Sequence, residues 1–249
     1  MSIDYKAQRA SDLRSAFYHP ELLSLLDQTI EQTLKNSREH GFCADYFPSS
    51  EDSGPFEISF TELIEGCKEK VAVPYGDTLT FHSHTGENYA GNPIKALISN
   101  ITSVGGGYDV SKGDLDFLIK NFQRYLSCFE YGVIDEGEVK GQVLPILIRI
   151  YPQQGMGASL HMYQLTGKTD VDLSHKRMGD GCRAEFDKLK KQGLIVEAIV
   201  EYYSDSKEYS TIDAAIDLFA SSEISEELIV IKSMDEIEKA MMKKPGFLE

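Results

Sequence analysis

The sequence has no apolar run long enough to span a bilayer, no Cys-x-x-Cys pair, no internal repeat and no low-complexity segment. The first absence excludes a transmembrane helix. The second excludes a zinc ribbon and a dithiol redox motif. The third excludes solenoids and propellers. Positive charge is also scarce, with 25 Lys and Arg against 40 Asp and Glu, a net charge of −15. Phosphate backbones are bound by clustered cations, so no nucleic-acid partner is expected. The excess acid reads as a solvated surface, or as attraction to a basic partner. The opening Met1-Ser2-Ile3-Asp4-Tyr5-Lys6 has no apolar stretch of the signal-peptide kind, which predicts a cytoplasmic protein. There Cys43, Cys67, Cys128 and Cys182 are expected to stay reduced.

What is present is a mixed α/β pattern over 249 residues. Residues 1–17 read as a lead-in helix or loop. Pro20 opens a helix over 20–38, with Leu22, Leu23, Leu26, Ile30 and Leu34 as its apolar stripe and Gly41 as its stop. Strands are predicted at 42–47, 56–60 and 78–83, with loops at 48–55 and around Gly76-Asp77. Residues 85–110, rich in glycine, form a long excursion that contains a short helix near 94–100. A helix over 112–127 buries Leu115, Leu118, Ile119, Phe122 and Leu126, and strands follow at 129–134, 142–151 and 158–165. Pro145 suits a strand beginning or an edge. Residues 166–249 read as an appended α/β extension. It has helices near 182–191, 212–219 and 234–243, an apolar segment at 194–203 and a strand at 228–231.

The chemistry concentrates in Phe81-His82-Ser83-His84 and Ser111-Lys112-Gly113-Asp114. Side chains alternate along a strand, so His82 and His84 leave the same face. Two imidazoles and a carboxylate, Asp114, make three ligands of a zinc site whose fourth position is open to water, the catalytic arrangement. Ser111 and Asp114 also read as the capping box of a helix. A general base is required. Glu39 sits at a helix C-terminus, where the dipole disfavours an acid. Glu57, Glu62 and Glu65 compete with it.

Glu, then His-x-His, then Ser-x-x-Asp, set among helix and strands in this order, resembles the JAB/MPN domain with its JAMM metalloprotease motif. The likeness covers residues 18–165, and the sequence Arg38-Glu39-His40-Gly41-Phe42 resembles the family's Glu followed by a glycine turn into a strand. It implies a cytidine-deaminase-like mixed sheet flanked by helices over residues 1–165, with the 85–110 insertion and the 166–249 extension added. It implies Zn2+ on His82, His84 and Asp114, Glu39 as the base, and Ser111 as donor to the oxyanion. The implied substrate is a protein, with an amide or isopeptide bond typically joining a ubiquitin-like modifier to a lysine. Two departures stand out. Thr85 replaces the family's Pro, and the spacer before Ser111 far exceeds the family's usual length of near seven residues. Asp109 and Glu87 are the other acids near the pair.

Three other readings stay open. His82-Ser83-His84-Thr85 also resembles the opening of PHP-type phosphoesterases, although only His161 and His175 follow. A JAB/MPN-like scaffold without metal is a second. A small-molecule amidase or desulfurising hydrolase on the same fold is a third. The oligomeric state is not encoded in any feature of the sequence.

Overall fold

A computed structural model describes residues 4–47, 57–67, 71–74, 78–85, 110–130, 141–155, 157–177 and 180–223. The loop at 48–55, the turn at 76–77, residues 86–109 with the helix at 94–100, and the elements at 228–231 and 234–243 lie outside them, as do Glu87 and Asp109.

Two helices open the chain, α1 (Tyr5–Phe17) and α2 (Pro20–Asn36). Asp4 caps α1 by accepting the Ala7 N–H at 3.1 Å. Pro20 begins α2 as expected, but Gly41 does not end it. Ser37 does, taking the left-handed conformation (φ 54°) while its N–H donates to the Thr33 carbonyl. The apolar stripe also turns away from the core before the helix is over. Leu22, Leu26 and Ile30 are buried, Leu34 is 39% exposed, and Thr33 holds the interior position instead.

The strands are β1 (His40–Phe47), β2 (Glu57–Phe60), β3 (Ile64–Glu65), β4 (Leu79–Ser83), β5 (Ile146–Gln153), β6 (Gly157–Leu165), β7 (Ile195–Tyr203) and β8 (Glu208–Tyr209). They form one mixed sheet in the order β2-β1-β4-β5-β6-β7-β8, with β3 also on β1. Every pairing is antiparallel except β4 with β5. A parallel pair needs a crossover, and the crossover carries α3 (Lys112–Glu130). Phe129 and Glu130 are the end of α3, not the start of a strand, and 131–134 lie outside the described residues. Pro145 immediately precedes β5, which suits a residue without an N–H to give the ladder.

Two apolar layers sandwich the sheet. On one face Leu13, Phe17, Leu22, Leu26, Ile30, Ile216 and Phe219 meet Phe42, Phe81, Ile148, Leu160, Met162 and Val200. This layer joins α1, α2 and α5 (Ile212–Ala220). On the other face Leu115, Leu118 and Phe122 of α3 and Phe186 and Leu189 of α4 (Arg183–Lys191) meet Leu147, Tyr163, Leu165 and Ile195. The described part of the segment after residue 165 thus continues the sheet through β7, which pairs with β6 from Ile195 to Tyr202. The result is a mixed α/β architecture with helices on both faces of one mixed sheet. No described helix is long and apolar enough to cross a membrane.

Candidate metal centre

One cross-strand row organises the site. Gly41, His82, Arg149, His161 and Ile199 are successive partners across β1, β4, β5, β6 and β7, so their side-chain positions share the face that carries α3. Immediately past the end of β4, His84 still donates its N–H to the Ile150 carbonyl and lies with His82 against Asp114. Ser83 between them points to the opposite layer, where it meets Thr33 of α2.

Asp114 arrives from the first turn of α3. Its N–H donates to Ser111 Oγ at 3.2 Å, and its Oδ2 accepts from the Ser111 N–H at 3.1 Å. This is a reciprocal capping box, and it fixes the carboxylate rotamer. Ser111 Oγ also donates to Oδ2 at 2.8 Å, which leaves Oδ1 to face His82 Nε2 at 3.0 Å. The capping function and the approach to the histidine therefore hold together, each through a different carboxylate oxygen.

His82 Nε2 and His84 Nε2 are 2.9 Å apart, and His84 Nε2 is 3.9 Å from Asp114 Oδ1. The ligand atoms of His82, His84 and Asp114 all lie within 4.8 Å of one another, and this buried group can hold a metal ion. Two imidazole nitrogens and one carboxylate oxygen converging on a point are a donor set that a borderline ion such as zinc accepts.

Glu39 is buried, at 6% exposure, immediately before β1. Its backbone is pinned on both sides: its N–H donates to the Cys67 carbonyl at 2.9 Å and its carbonyl accepts from Gly66 at 2.8 Å. The carboxylate Oε1 lies 3.6 Å from His84 Nδ1. The competing acids Glu57, Glu62 and Glu65 are exposed, and Glu65 pairs with Arg38.

Arg149 is the residue that sequence reasoning missed. Its Nε donates to His84 Nε2 at 3.0 Å and lies 3.5 Å from Asp114 Oδ2. Accepting that bond at Nε2 puts the neutral ring's proton on Nδ1, the nitrogen nearest Glu39. The guanidinium carbon sits 5.2 Å from the Tyr151 ring centre and 6.0 Å from that of Tyr163. Tyr151 in turn stacks on His84 and meets His161 edge-on. A signal was available: Arg149 stands alone in an apolar strand, and a charge is buried only where something compensates it.

The electrostatics follow from this packing. Burial, aided by the Arg149 charge and His82, holds His84 well below the usual histidine range, so the ring is neutral. Burial alone would raise Asp114, but Arg149 and the hydrogen bond from His82 overcome it and keep the carboxyl far below the ordinary carboxylate range. His161 is pushed down to about 3 by burial and by Arg149.

No protein family, curated protein or solved structure compared with the chain matches it.

Proposed function

We propose that the chain is a zinc-dependent hydrolase of a peptide or isopeptide bond, of the kind the JAMM motif carries. The carrying observation is the convergence of His82, His84 and Asp114 in one buried cluster, from sequence positions a long spacer apart. Zinc bound there would supply a Lewis acid and lower the pKa of water at its open position. Glu39, buried beside His84, is the base that takes the proton from the attacking water and returns it to the leaving nitrogen. Ser111 and the α3 cap orient Asp114. The substrate class is a protein amide, with a ubiquitin-like conjugate as the first kind to screen, in a cytoplasmic setting. The JAB/MPN fold is part of the same proposal, supported by a mixed sheet with helices on both faces.

A second reading has its own support. Arg149 donates to the lone pair of His84 Nε2 and neighbours Asp114, so a cation already serves the cluster. A non-catalytic scaffold would keep that arrangement permanently. Metal content of purified wild type beside Asp114→Ala separates the two. About one zinc per chain in the wild type and little in the variant supports the hydrolase. No zinc in either, even after zinc is supplied, leaves the scaffold.

A further inference from the structure

The resemblance gives Ser111 the task of donating to the oxyanion, yet its hydroxyl has one proton and that proton goes to Asp114 Oδ2 at 2.8 Å. The same oxygen accepts from the Asp114 N–H at 3.2 Å. Both bonds build the α3 cap, and releasing them would unseat the carboxylate. Arg149 is differently placed. Its Nε touches one of the three candidate ligand atoms at 3.0 Å and comes within 3.5 Å of the carboxylate of another, so the guanidinium borders the candidate ligand cluster itself. Its register position beside His82 and the flanking Tyr151 and Tyr163 rings fix its direction.

Charge points the same way. Asp114, Glu39 and Arg149 are all buried. Among the described residues, these two carboxylates and one guanidinium leave one formal negative charge in excess, and a divalent ion would turn this into one positive. Buried net charge is costly unless matched. Among the described residues, the next acids on this face of the sheet, Glu197 and Glu201 of β7, are engaged by Lys190 and by Gln153. An anionic oxygen arriving at the loaded centre would restore balance, and a tetrahedral adduct of a carbonyl provides one.

We infer that Arg149 is a catalytic residue that stabilises the oxyanion of the tetrahedral adduct, while Ser111 positions Asp114. This rests on the hydrolase reading above. As water adds to the carbonyl carbon, the C=O π pair moves to the carbonyl oxygen, Glu39 takes the water proton, and Arg149 donates a charge-assisted hydrogen bond to the new alkoxide. When the C–N bond breaks, the alkoxide pair re-forms the C=O bond, the C–N pair stays on nitrogen, and the proton held by Glu39 joins it.

The test uses full-length protein loaded with Co2+, whose visible spectrum reports ligand changes, titrated with methylphosphonate as a tetrahedral oxyanion. The set is wild type, Arg149→Met, Arg149→Lys and Ser111→Ala. The inference expects Arg149→Met to take up Co2+ at least as tightly as wild type, since a repelling charge is gone, but to bind methylphosphonate at least tenfold more weakly. Arg149→Lys should fall between, and it carries the comparison if Arg149→Met does not fold by circular dichroism. Ser111→Ala should weaken Co2+ binding instead. With a cleaved substrate in hand, Arg149→Met should lower kcat by about 10²–10³-fold with little change in KM. Equal methylphosphonate affinity in wild type and Arg149→Met overturns the inference alone. So does a defect confined to KM for substrates bearing a free carboxylate, which would make Arg149 a substrate anchor. Wild type that takes up no Co2+ overturns the hydrolase reading, and the inference with it.

Discussion

Ser83 Oγ lies 2.6 Å from Thr33 Oγ1, and both hydroxyls are buried. The residue between the two site histidines thus ties β4 to α2 from the face opposite the site. The same Oγ accepts the His40 N–H at 2.8 Å, so one hydroxyl joins α2, β1 and β4 behind the cluster.

Ser83→Ala would leave the His40 N–H buried without that acceptor, at about 1–3 kcal/mol. We expect the variant to unfold at correspondingly lower urea with an unchanged m-value. It should also bind zinc more weakly, because the end of β4, from which His82 and His84 project, loses its anchor. An unchanged urea midpoint would contradict this.

Gly41 faces His82 across the β1–β4 ladder. A Cβ there would sit 2.6 Å from Val73 Cγ1 and 2.7 Å from the Phe81 carbonyl oxygen, closer than side chains tolerate. Gly41→Ala must push β1 from β4 and should cost about 1–3 kcal/mol, read by thermal and urea unfolding of the metal-free protein. Wild-type stability would mean the two strands separate without penalty.

Glu39→Gln separates two roles for one carboxylate. As the base, Glu39 is needed for turnover but not for zinc, so the variant should keep its metal and lose about 10²–10⁴-fold in kcat. If it loses zinc instead, Glu39 serves by orienting His84 through Nδ1, 3.6 Å away. Paired metal analysis and kinetics decide.

An ion that binds only the folded chain stabilises it by mass action. With free zinc at about 100-fold above its Kd, the gain is about 2.7 kcal/mol. We expect the melting temperature of wild type to rise with zinc and fall back with a chelator, and that of Asp114→Ala to respond to neither.

His161 supplies a pH dependence that can be isolated. Its unfolded pKa is about 6.5, and in the fold it is pushed down to about 3 by burial and Arg149. Between these values the unfolded chain binds a proton that the folded chain refuses. The contribution is therefore fully present above pH 6.5 and is lost as pH falls through the window, by at most about 1.4 kcal/mol per unit. Urea unfolding of metal-free protein between pH 7 and 5 should show a shallower decline for His161→Gln than for wild type. Parallel declines would refute it.

Much of this was legible from periodicity. The α3 stripe of Leu115, Leu118, Ile119, Phe122 and Leu126 is buried as spacing predicts, and alternation through β4 and just past its end brings His82 and His84 together. What escaped depended on partners distant in sequence. Leu34 fits the α2 stripe, but the helix ends as that position turns toward solvent, and Thr33 is kept inside by Ser83. Gly41 reads as a helix stop, whereas its actual demand, the close approach of Phe81, comes from another strand. Arg149 gains its meaning only when the parallel β4–β5 pairing sets it beside His82.

That parallel pairing has a further consequence. Asp114 returns to His82 and His84 only after the chain has run through 85–113, so the cluster is the clasp of a closed loop. The entropy lost in closing a loop grows with the logarithm of its length, about 0.6 kcal/mol for each doubling. A long spacer between the histidines and the aspartate thus costs little more than a short one. An ion bridging the two ends would act on this segment as a removable cross-link, pinning β4 to the start of α3 across the whole spacer.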